Sequence, residues 1–257
     1  MSPRAIHDLH RDLRRLRIAL RLLRRVSPGS VSSGFEREEK ELVELAHAAG
    51  AARDRDVALR LLGGARGELD RGDTDALRAV LEHERSNFGK RLRVRAKHFL
   101  AQGGLEPRVL SEWMESHPLS TSRLRAASTR EIRGAQTGFQ QALRQAQRRS
   151  TVRRLHRLRV VLRQWRQTRR ELAVDPEGMD LGPSLVKFQT RLGNYHDLGM
   201  FDEWVRSLRH SREHRRVRRW VKESMERRRR ELERDLAPSE PRSRPRGKPR
   251  NPRSLPG

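Results

Sequence analysis

The chain of 257 residues has no cysteine, a single tyrosine, eleven aromatic residues in all and only six lysines. Without thiols there are no disulfides, no Cys-ligated zinc and no thiol catalysis. So few aromatics leave little on which nucleic-acid bases could stack. Acids are scarce too: 33 Asp and Glu stand against 59 Lys and Arg, a formal net charge of +26. No apolar run approaches the roughly 18 residues of a membrane span. The Arg-rich, amphipathic start has the look of a transit peptide, but it carries Asp8 and Asp12, lacks a hydrophobic h-region, and its pattern recurs mid-chain. It therefore reads as structure, and the expected location is cytoplasmic.

Arginine fills the space the other cations leave, with 53 residues. Its planar fork binds phosphate oxygens bidentately, so the composition leans toward a phosphate-bearing partner. Leu, Ile, Val and Phe make up about 22% of the chain, just above the roughly 20% below which high charge reads as disorder. A core of that size requires strict patterning. Leucine outnumbers valine plus isoleucine by 33 to 18, so the preference is for helix over sheet.

Punctuation by Gly, Pro and Ser divides the chain into helical segments near 3–25, 35–49, 52–63, 73–102, 106–116, 120–149, 151–174, 181–193, 196–210 and 212–236. From Pro238 the composition changes. Six of the twelve prolines and six cations face one acid, Glu240, the signature of a disordered basic tail over 237–257.

The first segment carries an apolar seam of Ile6, Leu9, Leu13, Leu16, Leu20 and Leu23 in steps of three and four. His7, His10, Arg14, Arg17, Arg21 and Arg24 repeat those steps one residue later. One residue turns a helix by about 100°, so a cationic stripe runs beside the seam that packs inward. Like charges on successive turns repel, and the stripe costs stability unless an anion lies along it.

The pattern returns 149 residues later, with a seam of Leu155, Leu158, Leu162 and Trp165 and a stripe of His156, Arg159, Arg163, Arg166 and Arg170. Gly50-Ala-Ala-Arg53-Asp54 is also similar to Gly193-Asn-Tyr-His196-Asp197. Each reads as a short break between two helices, with the aspartate capping the second. The expected architecture is all-α: two pseudo-twofold-related helical bundles from an internal duplication, about 1–117 and 118–236, plus the basic tail. The two stripes would then face each other across one groove.

These motifs resemble those of the CHAD family, the conserved histidine α-helical domain. His7-Asp-Leu-His10-Arg-Asp-Leu-Arg14-Arg15-Leu16-Arg17 is similar to its opening H-x-x-R-x-x-x-R-R-L-R signature. His156-Arg-Leu-Arg159-Val-Val-Leu-Arg163-Gln-Trp-Arg166 resembles the second-half signature, and the Gly50 and Gly193 segments its L-G-x-x-R/H-D turns. The resemblance spans about 3–236. It implies binding of long-chain inorganic polyphosphate, targeting to polyphosphate granules, and no catalysis or cofactor. The expected binding residues are His7, His10, Arg14, Arg17, Arg21, Arg24, Arg53, His156, Arg159, Arg163, Arg166, Arg170 and His196. Three positions depart from the pattern: His10 stands where Arg is usual, Gln164 where a second cation is common, and Trp165 where a smaller apolar residue is.

Other motifs read as plain structure. Glu36-Arg-Glu38-Glu-Lys40 matches the E-x-E-x-K of triphosphate tunnel enzymes, but Ser33 and Glu36 form a capping box that opens a helix. His210-Ser-Arg-Glu213-His214 matches an H-x-x-E-H zinc motif, yet neighbouring arginines oppose a dication and no third ligand stands out. Arg144, Arg148 and Arg149, like Lys90, Arg93 and Lys97, read as solvated helix faces. The alternative function is non-specific binding of nucleic acid, which needs only the same positive field. Attachment to a membrane surface through the first helix is disfavoured by its internal copy.

Overall fold

The computed structural model describes residues 2–26, 33–102, 115, 120–172, 182–208 and 214–237. These residues hold seven α-helices: α1 Pro3–Val26, α2 Ser33–Gly64, α3 Arg71–Ala101, α4 Thr121–Arg148, α5 Val152–Leu172, α6 Gly182–Ser207 and α7 Arg215–Leu236. A short 3-10 turn, Ala65–Gly67, follows α2, and no strand occurs among the described residues. The fold is all-α, as the composition predicts. The segment 106–116 lies outside the described residues except for Glu115, which is helical, and so does the tail from 238 onward.

Two predicted breaks are absent. α2 runs unbroken through Gly50, and α6 through Gly193. A mid-helix glycine costs only about 1 kcal/mol. Continuity keeps Ala49, Ala52 and Val57 on one buried face of α2, and Leu192, Tyr195, Leu198 and Phe201 on one buried face of α6. Each large buried side chain contributes about 1.5–3 kcal/mol, so burial outweighs the glycine penalty. With no helix end nearby, Asp54 and Asp197 sit mid-helix and cap nothing. Two helix starts elsewhere follow ordinary capping chemistry. Ser120 accepts the Arg123 backbone N–H at 3.1 Å to begin α4, and Thr151 accepts that of Arg154 at 3.3 Å to begin α5.

Ile6, Leu13 and Leu20 are buried against Leu42, Leu45, Ala49, Ala52 and Leu92, a core confined to the first half, with Leu9 and Leu16 packed at its edge. The second half has its own core, in which Leu155, Leu158, Leu162 and Trp165 meet Phe139, Ala146, Leu192, Tyr195 and Leu232. Trp165 stacks on Phe139 with ring centroids 4.9 Å apart, so the bulky side chain is accommodated against α4. A third cluster joins the halves: Ala58, Leu62, Leu77 and Leu81 pack on Leu198, Phe201, Trp204, Val217 and Val221. Glu84 reinforces that junction, because its Oε2 accepts from Trp204 Nε1 at 3.0 Å and Arg55 Nε at 2.8 Å.

Each helix of the duplicated set packs on its counterpart: α1 on α5, α2 on α6, and α3 on α7. That pairing is what a pseudo-twofold relation between the halves requires. α4 packs on both α5 and α1, and the Arg25–Glu131 ion pair adds to the second contact.

Candidate polyanion site

The stripes converge where α1, α2, α5 and α6 meet. α1 contributes His10 and Arg14, α2 Arg53 and Asp54, α5 Arg159 and Arg163, and α6 His196 and Asp197. Four positions correspond across the duplication: His10 with Arg159, Arg14 with Arg163, Arg53 with His196, and Asp54 with Asp197. Each half thus supplies one histidine and two arginines, with the histidine on α1 in one half and on α6 in the other.

Electrostatics show how closely these groups are held. Burial, aided by the nearby charges of Arg14, Arg53 and Arg163, lowers His10 to about 3. His196 is likewise lowered to about 3, by burial first and then by Arg159, His156, Arg163 and Arg53. Arg14 falls to about 10 through burial and the neighbouring Arg163, Arg53 and Arg159. Arg159 falls to about 10 through burial and Arg163, partly offset by Asp197. Burial also pulls Arg163 down, with Arg53 adding to it, and pushes Asp54 up. Both histidines are therefore neutral at pH 7, while the arginines keep their charge in partly dehydrated surroundings.

Compensation within the cluster is incomplete. Arg159 is only 9% exposed and has Asp197 at 3.7 Å, an ion pair without a close hydrogen bond. Arg14 Nε donates to its own helix at the His10 carbonyl, 3.2 Å away. Among the described residues Arg53 and Arg163 make no ion pair. His10 Nδ1 and Arg166 Nε are buried without a hydrogen-bond partner, and such groups normally find one.

Arg14 and Arg163 open onto a cavity of about 450 Å³ whose walls include Arg11, Arg166, Arg170 and Gln189. Gln189 Oε1 accepts from Arg166. Glu171 ties the helices together, receiving Arg15 Nε of α1 at 3.1 Å and Arg170 Nη2 at 2.7 Å. On the far side, His156 Nδ1 lies 3.1 Å from His196 Nδ1. Both rings border a second cavity of about 440 Å³ together with Arg153, Leu192, Tyr195 and Met225.

Ten of the thirteen predicted residues thus gather in or around this cluster, with His7 exposed at its edge. The remaining three lie further along α1. Arg17 and Arg21 make no ion pair among the described residues. Arg24 is committed to α2 through Glu39 at 2.8 Å and Glu36 at 3.9 Å. Arg11 and Gln189 escaped the sequence reading. Arg11 precedes Arg14 by three residues and shares its helix face, a legible sign. Gln189 carries none, because its place depends on how α6 meets α5.

The tunnel-enzyme motif lies on α2, with Glu36 and Lys40 both exposed on a helix. Of the zinc-like motif only His214 is among the described residues, and these contain no group of three or more His, Asp or Glu able to hold a metal ion. No helix among them is long and apolar enough to cross a membrane.

A duplicated helical fold with a cationic cleft between its halves defines the class. The CHAD domain family model matches residues 1–206, and the chain belongs to that family. The crystal structure of the CHAD domain from the plant Ricinus communis is similar at 18% identity, with a TM-score of 0.61 over 91% of this chain and 82% of that one. At this identity the likeness concerns the fold. No curated protein matches the chain.

Proposed function

We propose that this chain binds long-chain inorganic polyphosphate in the cleft between its halves, without catalysis, and that binding targets it to polyphosphate granules in the cytoplasm. The observation that carries this reading is the convergence of half-buried Arg14, Arg53 and Arg163 and buried Arg159, incompletely compensated, at the junction of α1, α2, α5 and α6. Desolvated arginines near one another are unfavourable in the empty protein. A chain bearing one negative charge per internal phosphate relieves that repulsion, satisfies the forks and releases condensed counterions.

The competing partner is nucleic acid, attracted by the same field. Leaving Phe35 aside, none of the aromatic side chains among the described residues is exposed, so base stacking has no platform at those positions. Competition separates the two. Long-chain polyphosphate is expected to displace bound duplex DNA at far lower phosphate concentration than DNA displaces polyphosphate. Arg14→Gln with Arg163→Gln should lower polyphosphate affinity by roughly a hundredfold, at about tenfold or more for each charge-assisted hydrogen bond removed. Unchanged affinity in that variant, or preferential retention of DNA, would overturn the assignment. Granule targeting is tested by imaging the tagged protein in cells with and without polyphosphate.

A further inference from the structure

Between Ile132 and Arg170 the chain contains twelve arginines and no acid. The cleft engages Arg159, Arg163, Arg166 and Arg170 of these. Five others, Arg144, Arg148, Arg149, Arg153 and Arg157, are exposed around the corner where α4 ends and α5 begins. Among the described residues none of their guanidinium groups makes an ion pair or a hydrogen bond. Unpaired arginines also occur elsewhere among the described residues, Arg17 and Arg21 on α1 and Arg215 and Arg219 on α7 among them; what marks this corner is its rigidity and its continuity with the cleft.

The corner is well fixed. Arg154 Nη1 of α5 donates to the Gln145 carbonyl of α4 at 3.2 Å, Ser150 Oγ to the Ala146 carbonyl at 3.1 Å, and Thr151 N to the Arg149 carbonyl at 2.9 Å. The first turn of α5 has no acid to match its macrodipole and carries Arg153 and Arg154 there instead, although that end of a helix favours negative charge. The corner is also continuous with the cleft, since Arg153 shares a cavity wall with His156 and His196. Along α5, Arg153, His156, Arg159, Arg163, Arg166 and Arg170 follow one another in steps of three and four, a single row leading from the corner into the cleft.

We propose that the α4–α5 corner is a second contact surface for the same polyphosphate chain, engaging the part that leaves the cleft past His156. The protein then selects long chains over short ones, because only a long chain occupies both surfaces and gains the tethering advantage of the second. This inference rests on the polyphosphate reading of the cleft.

The test compares tripolyphosphate with size-fractionated long-chain polyphosphate in calorimetric titrations of the full chain at several salt concentrations. The variant changes Arg144, Arg148, Arg149 and Arg157 to Gln and keeps Arg153, which borders the cavity at His156 and His196. Its long-chain affinity is expected to fall by roughly tenfold or more, with the log–log salt slope reduced by about one for each phosphate that the variant no longer engages. Its tripolyphosphate affinity should stay at the wild-type value. Equal long-chain affinity in variant and wild type overturns the corner as a contact surface, as does an equal loss for both ligands. In either case, a continued loss of both ligands in Arg14→Gln with Arg163→Gln leaves the cleft reading standing. Wild-type protein that binds neither ligand overturns the cleft reading itself. Should the fourfold variant not fold, Arg148→Gln with Arg149→Gln gives the same discrimination with a smaller shift.

Discussion

His156 of α5 and His196 of α6, 40 residues apart in sequence, face each other Nδ1 to Nδ1 at 3.1 Å. One ring must donate and the other accept, so the contact tolerates at most one protonated ring. At the corresponding place in the other half, His7 of α1 is paired by the duplication with Arg53 of α2. The two halves therefore differ in the proton chemistry of this position.

Proton uptake should accompany binding. His10 and His196 are both held near 3 in the empty protein by burial and by surrounding arginines. A polyanion that neutralises those arginines raises both, so affinity increases as pH falls from neutral toward about 5. Calorimetry at pH 5.5 in buffers of different ionisation enthalpy, a pH chosen at roughly one unit below the ordinary histidine value, should register protons taken up. His10→Gln with His196→Gln should abolish most of that uptake.

The sign for folding is opposite. Both histidines have folded values below the unfolded value of 6.5, so the unfolded chain binds more protons between those limits. Stability without ligand is present above about 6.5 and is lost as pH falls toward about 3. Thermal melts of the double Gln variant should decline less over that window than those of the wild type.

Arg163 should trade stability for binding. It is desolvated and lies close to Arg53, effects that Asp54 and Asp197 offset only in part, and it makes no ion pair among the described residues. Arg163→Met keeps most of the volume and removes a poorly compensated charge, a change that stabilises by on the order of 1 kcal/mol. A rise in Tm of about 2–4 °C is expected for a domain of this size, together with weakened polyphosphate binding. A fall in Tm would show that the arginine is structural.

The two glycines within α2 and α6 differ in what an added methyl would meet. At Gly193 a Cβ meets nothing within 4 Å, and at Gly50 it lies 3.8 Å from His10 Cε1, an ordinary contact. Gly193→Ala should therefore stabilise the protein by about 0.5–1 kcal/mol in denaturant unfolding. Gly50→Ala should stabilise no more than that, because it also touches the His10 ring.

Trp165 supports α5 from behind the site, stacked on Phe139 and 8% exposed. Trp165→Ala should cost about 3–5 kcal/mol of stability, measured by denaturant unfolding. Trp165→Phe should retain most of it. Affinity measured well below the unfolding transition should change little in the Phe variant.

The seam of α1 was legible because helical geometry is local. Ile6, Leu13 and Leu20 are buried as their spacing predicts, while Leu9 and Leu16 pack at the core's edge. Most of the cleft was legible for the same reason, since Arg14 and Arg163 stand at matching places in two copies of one pattern. The continuity of α2 and α6 was not legible. Gly50 and Gly193 are weak helix formers, and only partners distant in sequence supply the burial that carries each helix past them.

From the sequence alone follow the helices, the seam and stripe on α1 and α5, and the duplication, because rotation per residue and side-chain type set which groups share a helix face. Tertiary structure decided which stripe residues meet. It commits Arg24 to Glu39, brings Gln189 beside Arg166, sets His156 against His196, and buries Arg159 near Asp197. Those outcomes depend on how helices far apart in the chain cross, and so do the desolvation and mutual repulsion of the arginines in the cleft.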